Sequence, residues 1–94
     1  MRFLVVLNEA AKKAVADGTI SSEDLNVLRR ARFHPFMMAI IKKQIAEEAV
    51  MSGVLPVSAL GSMDDVDWEK VLNLTTEIIP LVIQLINELW PLFT

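Results

Sequence analysis

Residues 75–94 read TTEIIPLVIQLINELWPLFT, and the fold turns on what so much apolar surface touches. Stepped at about 100° per residue, the segment and the residues before it make one helix with two unequal sides. Glu69, Asn73, Thr76, Pro80, Gln84, Asn87 and Pro91 fall on a polar stripe, edged by Lys70, Glu77 and Glu88. The rest is apolar over roughly 200°, about twice the arc a surface helix requires. One neighbouring helix does not cover such an arc, so contacts on more than one side are expected. The residues expected to carry them are Trp68, Val71, Leu72, Ile78, Ile79, Val82, Ile83, Leu85, Ile86, Leu89, Trp90 and Phe93. Pro80 removes a hydrogen bond to Thr76 and is expected to kink the helix. The cost is about 3 kcal/mol unless a hydroxyl of Thr75 or Thr76 satisfies the freed carbonyl.

Upstream, SGVLPVSALGSMDD holds two Gly, one Pro and three Ser, the composition of a linker. It separates an N-terminal three-helix unit (residues 1–52), across a linker (residues 53–63), from a C-terminal amphipathic helix (residues 64–94). That last helix is capped by Asp64 or Asp65 and runs through Trp68 to about Trp90. Together these parts are read as one domain.

Within the N-terminal unit, Phe3, Leu7, Ala10, Ala11, Ala14 and Val15 share one face while Glu9, Lys12 and Lys13 lie opposite. This predicts a helix over residues 3–17, ended by Gly18. The second helix has a capping box, with Ser21 as N-cap and Asp24 three residues on, and Ile20 and Leu25 placed as a hydrophobic staple. Glu23 and Asp24 at its start and Arg29, Arg30 and Arg32 at its end have the signs the helix dipole favours. His34 precedes Pro35 and is pushed out of the α region, which ends that helix. Pro35 then suits the first turn of a third helix running to Gly53. The fold class is therefore all-α: a small bundle of about four helices with a long, kinked, amphipathic helix at its C-terminus.

With 53% hydrophobic residues and few glycines and prolines, the chain is not disordered by composition. At 94 residues it buries only about 60–65% of its unfolded surface, so modest stability is expected unless partners contribute. The absence of cysteine excludes a disulfide framework and thiolate chemistry. Residues 1–51 hold eight basic against six acidic side chains, whereas residues 52–94 hold one against six. The halves attract one another, within a chain or head to tail between copies. The apolar run Phe3–Leu7 is too short for a secretory signal, and an intracellular or within-assembly location is expected rather than secretion.

No motif names a reaction. DGTISSED (Asp17–Asp24) has the glycine and isoleucine spacing of the second half of a calcium loop, but the alignment puts Lys13 first and Val15 third, where oxygen ligands are needed. It reads as a helix-connecting turn. His34 is the lone histidine, which rules out histidine-based metal clusters and triads within one chain. Glu47 and Glu48 read as a solvated face, and Asp64, Asp65 and Asp67 as a helix start. No phosphate loop, nucleophile elbow or zinc-protease pattern is present, so the chain is read as non-enzymatic and without a cofactor.

Arg29, Arg30 and Arg32 beside Phe33 hint at nucleic acid, but the chain has a net charge of −3 and the cluster ends a helix rather than starting one. Trp68 and Trp90 are about 33 Å apart along a helix, the spacing of an aromatic belt. Against a lone span, the uncharged run Ile78–Asn87 falls well short of the ~20 residues required. The sequence thus describes a structural or assembly subunit that self-associates, or docks on a larger partner, through its C-terminal helix. A small component of a virion or other large assembly fits that plan by analogy. The alternative is a membrane-associated or pore-forming oligomer on the same helix. A second alternative is a nucleic-acid-binding regulator using the arginines.

Overall fold

The computed structural model describes residues 2–74 and 78–93 of the chain. Its helices are α1 (Arg2–Ala16), α2 (Ser22–Ala31), α3 (Pro35–Met51), α4 (Trp68–Leu74) and α5 (Ile78–Phe93), with 3₁₀ turns at Val57–Gly61 and Met63–Asp65. The described residues contain no strand, so the protein is an all-α bundle.

The helix boundaries follow local chemistry. Past α1, Thr19 N–H reaches Ala14 O at 2.8 Å and Gly18 N–H reaches Val15 O at 3.1 Å. This pair of bonds needs a left-handed residue, which Gly18 supplies at φ 76°. The same closure recurs after α3, where Val54 and Gly53 donate to Ala49 and Val50, with Gly53 at φ 80°. The capping box of α2 is reciprocal: Asp24 N–H donates to Ser21 Oγ and Ser21 N–H to Asp24 Oδ2, each at 3.1 Å. His34 is extended ahead of Pro35, which starts α3.

The helices share one apolar core. Leu7 of α1, Met37, Ile41 and Ile45 of α3, Val71 and Leu72 of α4, and Ile79 and Ile86 of α5 are its most deeply buried large side chains. In this arrangement α1 lies against α2 and α4, while α5 lies against α2 and α3 and touches α1. The radius of gyration, 12.5 Å, is what ~94 residues give as a single domain.

Three details differ from the sequence reading. The C-terminal helical region begins at Trp68 rather than at Asp64 or Asp65, and Asp67 caps it by accepting from Lys70 N–H at 3.2 Å. Residues Met63–Asp65 are drawn into a 3₁₀ turn and Val66 is extended, which delays the helix start. The linker is a brace: Val54 and Leu55 pack on the core, and the turn at Val57–Gly61 lies against α3. The C-terminal segment also carries helix past Trp90, through Pro91 to Phe93. Pro80 stands in α5, while the hydroxyls of Thr75 and Thr76 expected to serve its freed carbonyl lie outside the described residues.

Candidate interaction surface

The residues expected to make intermolecular contacts are largely used by the chain itself. Trp68, Val71, Leu72, Ile78, Ile79, Val82, Ile83 and Ile86 are buried at 5% exposure or less, all within the one core. Leu85, Leu89, Trp90 and Phe93 are partly buried against that same core. The reason is geometric: the broad apolar arc of α5 is met by α1, α2 and α3 together, and α4 is met by α1. Several short helices do what one neighbour could not.

What stays outside is a narrower strip. Leu81 is 50% exposed and Leu92 78% exposed, and their spacing with Leu85 keeps all three on one stripe of α5. On α3, Phe36 is 78% exposed and Ile40, one turn on, is 38% exposed. Between the helices lies a groove of about 240 Å³ lined by Gln44, Ile45, Glu48, Leu81, Leu85 and Glu88, among others. Its rim is acidic, and Gln84 Nε2 donates to Glu88 Oε1 at 3.3 Å.

The other flank of α5 has the opposite character. A cleft of about 270 Å³ between α2 and α5 is lined by Val27, Arg30, Asn87, Trp90 and Pro91. Arg29 and Arg30 are exposed at the end of α2. Arg32 lies 5.1 Å above the ring of Phe33, which is 75% exposed. The corner is fixed to α5 by His34, whose ring sits edge-on to Trp90 at 5.2 Å and 6.3 Å from Phe93. His34 therefore packs aromatic rings at a turn.

The remaining sequence candidates disperse. Asp24 is engaged in the α2 capping box and Asp67 in the α4 cap, while Asp64 pairs with Lys42 at 3.7 Å. Among the described residues no group of three or more His, Asp or Glu is placed to hold a metal ion. No helix of the described residues is long and apolar enough to cross a membrane. Comparison of the chain with known protein families, curated proteins and solved structures finds no match.

Phe36 and Ile40 escape sequence reasoning because the first half of α3, PFMMAII, is apolar on every side and gives no periodicity to separate core from surface. The one available signal is their i, i+4 spacing on the face that also carries Lys43 and Glu47.

Proposed function

We propose that the chain is a non-enzymatic assembly subunit that associates head to tail with further copies of itself. The observation that carries this reading is the opposed character of the two flanks of α5. One flank has exposed Leu81 in a groove rimmed by Glu48 and Glu88, with exposed Leu92 further along the same stripe of α5, and the other has Arg30 beside Trp90. Exposed apolar surface rimmed by charge is what a protein interface requires. The complementary rim stands on the same molecule, on a different face, and repeating such a contact builds a ring or filament.

Sedimentation over a range of concentrations tests it. Wild-type protein is expected to exceed its monomer mass of 10.5 kDa as concentration rises. Leu81→Lys and Leu92→Lys, at exposed positions, are expected to return it to monomer with the helical spectrum unchanged. Val57→Lys, at a 72% exposed site outside the groove, serves as control and is expected to behave as wild type. A wild-type chain that stays monomeric at every concentration overturns the proposal.

A further inference from the structure

A cavity of about 460 Å³ opens between α1, α3 and the start of α4, on the side of α3 turned away from the α5 groove. Phe3, Met38, Val66 and Trp68 supply apolar walls, with Phe3 set edge-on to Trp68 at 4.8 Å. Arg32 and Lys42 line the same space against a single carboxylate, Asp64. The Lys42 ammonium lies 5.8 Å from the centre of the Phe3 ring and 5.6 Å from that of Trp68. Its ion pair with Asp64 is long at 3.7 Å, and the Asp64 side chain is fully exposed, so solvent screens the pair. Among the described residues Arg32 has no carboxylate within ion-pair distance.

A third positive element points the same way. Pro35 lies in the lining and starts the long helix α3, which has no side-chain cap and no acidic residue in its first turn. The positive end of the helix dipole is therefore uncompensated by a side chain at this wall. All of this occurs on a chain whose net charge is −3, so the local sign is not a reflection of overall composition. If Lys42 only held two rings together, neither an open cavity nor a second cation would be needed.

We propose that this cavity binds a small amphipathic monoanion, an alkyl or aryl carboxylate. Its carboxylate is held by the Arg32 fork and the Lys42 ammonium, and its apolar body lies against Met38 and Trp68. The volume falls within the ~300–1,000 Å³ of small-molecule sites, which combine apolar walls with a few placed polar groups. Guanidinium geometry matches a carboxylate bidentately, and an ammonium over aromatic rings adds a second contact without a fixed direction.

The site shares no lining residue with the α3–α5 groove, so its test does not depend on self-association. With Trp90→Phe as background, emission reports on Trp68 alone, since the chain has two tryptophans. Decanoate, kept below its micellar concentration, is expected to shift that emission saturably, while decanol and acetate bind at least about 10-fold more weakly, the size of one charged hydrogen bond. Lys42→Met keeps the apolar stem over the rings and is expected to weaken decanoate about 10-fold while leaving decanol unchanged. Arg32→Met, at an exposed position, supplies the same measurement if Lys42→Met fails to fold. Ala39→Phe, placed at the exposed lip of the cavity without adding a second indole, is expected to abolish the response. Absence of saturation, equal affinity for decanol and decanoate, or undiminished decanoate binding in a folded Lys42→Met or Arg32→Met protein overturns the proposal.

Discussion

His34 meets Trp90 edge-on, with ring centroids 5.2 Å apart and ring planes inclined at 72°, and this contact ties the α2–α3 corner to the last turn of α5. The two residues lie far apart in sequence, so the contact closes the bundle at one end. Edge-to-face ring pairs contribute about 0.5–1.5 kcal/mol beyond the area they bury. A double-mutant cycle with His34→Ala and Trp90→Ala, followed by urea unfolding, is expected to return a coupling in that range. Strictly additive losses would show that the rings touch without mutual stabilisation.

Core and surface on α5 are expected to separate cleanly by mutation. Ile86 has no exposed surface, and Ile86→Ala is expected to cost about 2–5 kcal/mol because little of the resulting cavity can collapse. Leu92 is 78% exposed, so Leu92→Ala is expected to fall within about 0.5 kcal/mol of wild type. Ile79→Asp places a charge without a partner in the core and is expected to unfold the monomer rather than merely dissociate an oligomer. Circular dichroism of Ile79→Asp decides: a folded monomer would restore that side chain to an intermolecular role.

At the start of α2, Ser21→Ala removes the acceptor for Asp24 N–H and is expected to cost about 1 kcal/mol. Asp24→Asn retains an acceptor for Ser21 N–H but loses the charge at the helix start, so a smaller loss, about 0.3–1 kcal/mol, is expected. Equal unfolding midpoints for all three proteins would mean that tertiary packing, not the box, fixes this helix end.

Features encoded within a few residues of one another were legible in the sequence. Gly18, Ser21, Asp24, Pro35 and Gly53 each mark a boundary through a short-range backbone requirement, and all act at the positions their chemistry dictates. The all-α class followed from the same signals together with the periodicity of α1 and α5. The helix start at Trp68 was harder, because three aspartates compete for one cap and the choice depends on where residues 62–66 turn. The division of the apolar arc between core and surface was not legible, since Ile86 and Leu92 are chemically alike, yet one is fully buried and the other 78% exposed once the helices pack. The cavity between α1, α3 and α4 was equally hidden: Phe3, Arg32, Lys42 and Trp68 are scattered along the chain until the helices pack.

Charge reversal gives the most direct test of polarity in the proposed assembly. Glu48→Lys with Glu88→Lys makes the α3–α5 groove basic, so it should repel the arginine-bearing flank of the next copy. Arg29→Glu with Arg30→Glu makes the other flank acidic, and it should then be repelled by an unmodified groove. Each altered protein alone is expected to sediment as a monomer, because like charges brought to an interface oppose association. Mixed in equal amounts, the two are expected to associate again, since the basic groove of one now faces the acidic flank of the other. A two-fold symmetric pairing groove to groove would instead be insensitive to the arginine substitutions, so the Arg29→Glu, Arg30→Glu protein would still self-associate. Raising salt from 0.05 to about 0.5 M should weaken the mixed complex, because the attraction between exposed rims is screened within about 10 Å at 0.1 M. Failure of the mixture to associate, with both proteins folded and the wild type oligomeric, would sink the head-to-tail arrangement.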